Sequence, residues 1–143
     1  MIIKQLSVFV ENKKGRLLSI VEILAENDID ISSLSIADTA DFGVLRLIVD
    51  KPNEAKAALK EAGIVVKITD VVAVVMEDAP GGVAAALRVV YDNDIDVEYM
   101  YAAIGKTTGK ALMVLRPSDL EKAEEVLTKA GFGAVNPGDI YRI

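Results

Sequence analysis

Glu77-Asp78-Ala79-Pro80-Gly81-Gly82 is the segment from which the architecture of this chain can be worked out. It follows the apolar run Val71–Met76 and precedes a helix-period run that begins at Val83, so it is predicted to be a strand-to-helix turn. Proline fixes φ in such a turn, and the glycines allow another group to approach the backbone closely. A helix that begins here points free N–H groups and the positive end of its dipole toward the turn, which suits a carboxylate or a phosphate.

The same construction occurs sixty-six residues earlier in the chain. The matching positions are Glu11 with Glu77, Gly15 with Gly81, Asn27-Asp28-Ile29-Asp30 with Asn93-Asp94-Ile95-Asp96, and the apolar helix positions Leu17, Ile20, Val21 and Leu24 with Val83, Ala86, Leu87 and Val90. Further along, Lys51-Pro52 matches Arg116-Pro117 one residue out of step, and Gly63 matches Gly131 after a longer second helix. This register predicts a tandem duplication, with repeats at residues 1–69 and 70–143.

Each half has the order strand, helix, strand, strand, helix, strand. The last helix is predicted to begin at Ser118-Asp119-Leu120-Glu121, which has capping-box spacing. This order is typical of the split-βαβ, ferredoxin-like α+β fold, a four-stranded antiparallel sheet with both helices on one face. Because only residues 67–70 separate the halves, we expect one rigid body with the two antiparallel sheets packed side by side, or stacked in a dimer.

Composition limits the classes of function. The 143 residues are enough for one ordinary domain or two small ones, and with 52% apolar but only 5% aromatic residues the core must be aliphatic. The net charge of −6 argues against nucleic-acid binding. The absence of Cys excludes thiol chemistry, and the absence of His removes the usual general base and the commonest transition-metal ligand. No apolar run is long enough to cross a membrane and the chain does not begin like a signal peptide, so a cytoplasmic protein is expected.

The two strand–turn–helix segments, each followed by Asn-Asp-Ile-Asp, resemble the ACT domain, a small-molecule-binding regulatory module of amino-acid metabolism. The similar segments are residues 11–17 with 27–31, and residues 77–83 with 93–97. The resemblance covers nearly the whole chain, once per half, and implies a stand-alone protein of two tandem ferredoxin-like βαββαβ ACT units. It also implies that a free amino acid or similar small carboxylate binds where two ACT units meet.

The resemblance assigns candidate ligand-binding residues position by position. They are the turn side chains Asn12 and Asp78, the backbone of Gly15, Arg16 and Leu17 and that of Gly81, Gly82 and Val83, and the second-strand residues Asp30 and Asp96. Lys14 stands where the family often has proline, so the first turn is expected to be less preset. Asp30 and Asp96 stand where serine-binding members have asparagine, and aspartate there would accept an ammonium group but repel a carboxylate.

These candidates also have plainer structural interpretations. The glycines would merely permit tight turns, Asp78 would cap its own helix, and Asp30 and Asp96 would be solvated residues at strand starts. Lys13, Lys14 and Arg16 would be surface charges rather than partners of a ligand carboxylate. The repeated Asn-Asp-x-Asp segment would end a helix rather than bind calcium, because two carboxylates supply too few of the oxygen ligands that calcium needs.

We therefore predict a non-enzymatic amino-acid-binding regulatory or sensor protein of amino-acid metabolism. It would act as a homodimer on a metabolic enzyme, with no membrane or nucleic-acid partner. No catalytic residue, metal or cofactor is expected, because the sequence contains no nucleophile–base pair, phosphate-binding loop or metal cluster. One alternative is an interaction or scaffold module with decayed ligand sites, acting on a partner enzyme. Another is a small enzyme with Asp or Tyr as acid or base.

Overall fold

Segments with alternating apolar residues form the strands of this protein, and segments with apolar residues at helical spacing form its amphipathic helices. The computed structural model describes residues 1–38, 41–103 and 109–134. Within these ranges the elements are β1 (Ile2–Glu11), α1 (Arg16–Glu26), β2 (Ile31–Asp38), β3 (Phe42–Val49), α2 (Pro52–Glu61), β4 (Val66–Glu77), α3 (Gly82–Asp92), β5 (Val97–Ala103), β6 (Lys110–Pro117), α4 (Leu120–Lys129) and β7 (Gly133–Ala134). The predicted α+β class and the twice-repeated order are confirmed. None of the described helices is both long and apolar enough to cross a bilayer.

The chain divides into two units. The N-terminal unit is Lys4–Thr69, and the C-terminal unit contains the described residues from Asp70 onward together with Met1–Ile3. Strand β4 contributes Val66–Thr69 to the first unit and its remaining residues to the second. The first three residues depart from the division at 1–69 and 70–143, because the Ala73 N–H donates to the Met1 carbonyl at 2.9 Å.

In the N-terminal unit, β3 lies between β2 and β1 and is antiparallel to both. Val65, just before β4, accepts a 3.0 Å hydrogen bond from the Phe9 N–H on the other side of β1. Helices α1 and α2 cover one face of this sheet and bury Ile20, Leu24, Ala55 and Leu59. They pack on the strand residues Leu6, Val8, Leu45 and Leu47, which are fully buried. Burial of each such leucine contributes roughly 2 kcal/mol of hydrophobic stabilisation.

The C-terminal unit repeats this arrangement. Strand β6 lies between β5 and β4, and β7 pairs with the other side of β4 through Val75 and Gly133. Helices α3 and α4 bury Ala86, Val90, Ala123 and Leu127. The core of this unit is completed by aliphatic residues of β4 and β6, among them Val72, Val74 and Leu115.

Strand register corrects part of the predicted repeat alignment. Pro52 begins α2 whereas Pro117 ends β6, so the match of Lys51-Pro52 with Arg116-Pro117 is wrong. Helices α2 and α4 both have 10 residues, so the second helix is not longer. The strand pairing gives the reason. Val10 lies opposite Gly43, and Met76, 66 residues after Val10, lies opposite Ala111, 68 residues after Gly43. The second repeat therefore has two extra residues before β6.

Candidate ligand-binding site

The two strand–helix turns have the same backbone conformation. Gly15 (φ 84°, ψ −7°) precedes α1, and Gly81 (φ 92°, ψ −10°) precedes α3. A positive φ of this kind is easy for glycine and strained for other residues. Lys14 precedes Gly15, whereas Pro80 precedes Gly81. The first turn therefore has the same conformation as the second although it lacks the proline.

Helix α1 begins with two backbone amides that have no acceptor in the described part of the chain. The Arg16 N–H donates to the Lys13 carbonyl at 3.2 Å, and the Ser19 N–H donates to the Gly15 carbonyl at 3.0 Å. Between them lie Leu17 and Leu18, and no described side chain caps the helix. These are the free N–H groups expected at a helix start, and they are available to an anion.

Helix α3 begins in the same way. The Gly82 N–H donates to Ala79 at 3.0 Å and the Ala85 N–H to Gly81 at 2.9 Å, and among the described residues no side chain caps this helix either. Asp78 is exposed, and its own N–H donates to the Gly109 carbonyl at 3.0 Å. The interpretation of Asp78 as a cap of its own helix is therefore wrong.

The two turns differ in charge. In the first turn, Glu11 Oε2 lies 2.9 Å from Lys13 Nζ and 3.6 Å from the Arg16 guanidinium. The Lys13 hydrogen bond and charge, with the Arg16 charge, hold the pKa of the Glu11 carboxyl below its usual value. Lys14 adds another positive charge to this turn. The second turn carries Glu77 and Asp78 instead, and Glu77 forms an ion pair with Lys110 of β6.

Gly82 has a packing role that the sequence did not reveal. A Cβ at this position would lie 2.2 Å from the Glu77 carbonyl oxygen, so only glycine fits. At Gly15 and Gly81 a Cβ would meet nothing within 4 Å, and only the positive φ requires glycine. The residue that corresponds to Gly82 in the first repeat is Arg16, which carries a side chain.

Asp30 and Asp96 do not join the turn of their own unit. Each lies beyond the far end of an 11-residue helix, which is about 16 Å long at about 1.5 Å per residue. The Asp30 N–H donates to Asp50 Oδ1 at 3.0 Å, and the Asp96 N–H donates to Ser118 Oγ at 3.1 Å. Both aspartates are exposed. Within one unit, the structure brings together the turn residues but not the second-strand residues.

The Ser118 hydroxyl thus accepts a hydrogen bond from the Asp96 N–H and does not cap α4. The cap of α4 is Asp119, whose carboxylate accepts a 3.0 Å hydrogen bond from the Lys122 N–H. The predicted helix start is confirmed, but the capping residue is one position later than the capping-box spacing indicated.

The Asn-Asp-x-Asp segments serve helix ends. The Asn27 side-chain amide donates to the Ile23 carbonyl at 2.8 Å, and Asn93 does the same to Val89 at 2.8 Å. The next residues, Asp28 (φ 54°) and Asp94 (φ 55°), both have a left-handed backbone. These contacts confirm the helix-end interpretation. Among the described residues, no three His, Cys, Asp or Glu side chains cluster as potential metal ligands.

A cleft of about 170 Å³ lies beside the first turn, and sequence reasoning missed most of it. Its lining residues are Phe9, Val10, Glu11, Arg16, Ile20, Phe42, Gly63, Ile64 and Val65. Arg16 is the predicted site residue among them. Phe9 provided a signal, because it is an aromatic residue at a polar-face position of an alternating strand. The C-terminal unit has a cleft of about 410 Å³ at the equivalent place, lined by Val75, Met76, Glu77, Lys110, Ala130, Gly131, Phe132 and Gly133.

Comparisons with known proteins agree with this architecture. The chain is similar to protein BT0572 from Bacteroides thetaiotaomicron, with 40% identity over 100% of this chain and 98% of that chain and a TM-score of 0.93. It shares its fold with the ligand-free regulatory subunit of aspartate kinase from Thermus thermophilus, at 15% identity over 92% and 97% of the two chains and a TM-score of 0.64. It also shares its fold with the regulatory subunit of aspartate kinase from Thermus flavus, at 16% identity over 91% of this chain and 95% of that chain and a TM-score of 0.64.

No curated protein matches the chain. The family of ACT domain pairs, in contrast, matches residues 1–143. The paired glycine turns, the two open helix starts and the duplicated βαββαβ order all lie within this range. The chain belongs to the family of ACT domain pairs.

Proposed function

We propose that this protein is a non-enzymatic, amino-acid-binding regulatory protein of amino-acid metabolism, and that the first turn holds the ligand carboxylate. The observation that carries the proposal is the pair of amides at Leu17 and Leu18, which no described acceptor occupies and which lie in a positively charged turn. Backbone N–H groups and a helix dipole bind carboxylates without any specialised side chain. Family membership and the Thermus aspartate kinase regulatory subunits support a regulatory role.

The first turn is a better carboxylate site than the second because of its local charge. Lys13, Lys14 and Arg16 outnumber Glu11, so the field at the first turn favours an anion. Glu77 and Asp78 oppose an anion at the second turn, although its backbone geometry is the same. The two repeats therefore share a conformation but are unequal as sites.

Asp30 and Asp96 take a secondary role in this proposal. Each follows the far end of a helix about 16 Å long that begins at the turn of its own unit. They would contact a turn-bound ligand from an ACT unit other than the one that holds its carboxylate, and a second copy of the chain would supply such a unit. The proposed form is accordingly a homodimer.

Regulation would follow from differential binding. A ligand that binds one quaternary arrangement better than another shifts the population toward that arrangement, and a partner enzyme in the cytoplasm would detect the shift. No step of this mechanism requires chemistry on the ligand.

The test is thermal unfolding of the full chain with each of the twenty amino acids. A ligand at about 100 times its Kd stabilises the protein by about 2.7 kcal/mol, which is a clear rise in Tm. Leu17→Pro removes one open amide, and Val83→Pro makes the same backbone change at the equivalent position; these side chains are 39% and 40% exposed. We expect both variants to lose similar stability and Leu17→Pro alone to lose the ligand response. No response to any amino acid, or loss in Val83→Pro alone, would contradict the proposal.

The charge of the second turn favours a second candidate, an interaction module that works without ligand. Glu77 and Asp78 make that turn unsuitable for a carboxylate, as expected of a decayed site. This candidate predicts a partner enzyme that is retained equally with and without amino acid, whereas the ligand-binding proposal predicts a difference.

A further inference from the structure

We propose that the amino acid is one with an aliphatic or aromatic side chain, held in the cleft beside the first turn, with Glu11 as the acceptor of its ammonium group. This inference rests on the proposed function and deepens it. It names the class of ligand, and it adds Glu11 and the cleft residues to the site.

The size of the cleft agrees with this class. Its volume of about 170 Å³ is close to the roughly 150 Å³ of an apolar cavity that accommodates benzene. Its lining is mainly aliphatic and aromatic. Three of its members, Phe9, Phe42 and Val65, are 52%, 57% and 65% exposed, although they are large and apolar. An apolar side chain in the cleft would cover those parts of the three residues that line it.

Strand pairing brings these apolar residues to one place. Glu11 lies opposite Phe42, and Phe9 lies two residues before Glu11, so both phenylalanines are on the same face of the sheet. The hydrogen bond from the Phe9 N–H places Val65 next to Phe9 on the other side. Ile20 of α1 and Ile64 before β4 complete the wall.

The charges at the rim suit a zwitterion. Glu11 and Arg16 both line the cleft, and their charged groups are 3.6 Å apart. An α-amino acid can replace this contact: its carboxylate, held by the open amides of Leu17 and Leu18, also accepts from Arg16, and its ammonium donates to Glu11. Lys13 Nζ lies 2.9 Å from Glu11 Oε2, so Glu11 has a positive neighbour besides Arg16. A ligand with only one of the two charges would separate Arg16 from Glu11 and give a new partner to only one of them.

The C-terminal cleft lacks these features and serves as an internal comparison. Val75 and Gly133 replace Phe9 and Val65, and Glu77 is paired with Lys110. Gly82 replaces Arg16, and no side chain fits there because of the Glu77 carbonyl. The inference therefore applies to the N-terminal cleft.

The first test is titration calorimetry of the full chain with defined probes. L-Leucine and L-phenylalanine are compared with L-serine and L-aspartate, and with 4-methylpentanoate and 3-methylbutylamine, which each lack one charge of leucine. We expect leucine or phenylalanine to bind at least tenfold more tightly than every other probe. A polar amino acid that binds as tightly overturns the assignment of the ligand class but leaves the proposed function standing. No binding by any of the twenty amino acids overturns both.

Variants then locate the site. Val65→Asp places a charge in the cleft, and Leu34→Asp places one at a similarly exposed residue of β2, 52% exposed, that lines neither cleft. Arg16→Gln is matched by Lys56→Gln, an exposed residue of α2. We expect Val65→Asp and Arg16→Gln to weaken leucine binding at least tenfold and the two controls to change it less than twofold, with all four variants folded by circular dichroism.

Measuring the oligomeric state tests whether a second copy of the chain, rather than an amino acid, occupies the cleft. If Val65→Asp converts a dimer to a monomer in sedimentation and leaves leucine affinity unchanged, the cleft is an interface between copies and the inference is overturned. Unchanged affinity in a variant with an unchanged oligomeric state overturns it as well.

Discussion

Gly82→Ala is the substitution that most directly tests how the second turn is built. The added Cβ would lie 2.2 Å from the Glu77 carbonyl oxygen, whereas ordinary contact begins at 3.4 Å, so the backbone must separate by about 1.2 Å. The obstacle is a backbone carbonyl at the end of β4, which cannot move aside as a flexible side chain would.

The expected magnitude comes from two opposing effects. Forcing one extra carbon into a filled site costs about 1–3 kcal/mol. Alanine regains up to about 1 kcal/mol over glycine in a helix, and less at its first residue. The net loss is therefore roughly 1–2 kcal/mol, which for a chain of this length lowers Tm by about 3–6 °C.

Scanning calorimetry of Gly82→Ala and Arg16→Ala measures this effect. Arg16 occupies the equivalent first position of α1 and already carries a Cβ, so Arg16→Ala is expected to change Tm by less than about 1 °C. If Gly82→Ala melts at or above the temperature of the unmodified protein, the close contact with Glu77 does not limit this position.

Two further outcomes are expected. Asp119→Ala removes the side-chain acceptor for the Lys122 N–H and should destabilise the protein by about 1 kcal/mol in urea unfolding; an unchanged midpoint would show that the cap contributes nothing. Because Lys13 and Arg16 lower the pKa of Glu11, its carboxylate stays ionised as the pH falls from 7 to 5, so leucine affinity should be constant over that range and decline only below pH 4.5. Titration calorimetry that shows the decline above pH 5.5, or a Glu11→Gln variant with the same affinity and decline, would contradict the role of Glu11.

Local rules account for what could be read from the sequence. The duplicated Glu-x-x-x-Gly turns, the helix starts and the Asn-Asp helix ends depend on residues within about one helical turn of each other. Gly15 and Gly81 adopt the left-handed conformation that glycine allows, and Asn27 and Asn93 bond carbonyls four residues back. Such interactions are present in the order of residues, so the fold class and its repetition could be predicted.

Strand pairing accounts for what could not be predicted. The two-residue shift before β6 appears only when Val10 and Met76 find their partners, and a match of prolines in the sequence pointed to a different alignment. The hydrogen bond from the Asp30 N–H to Asp50, twenty residues further along the chain, depends on where β3 ends beside the start of β2, which a motif does not encode. The cleft joins Phe9, Phe42 and Val65 from three separate segments, and their proximity arises only through hydrogen bonds between distant parts of the chain.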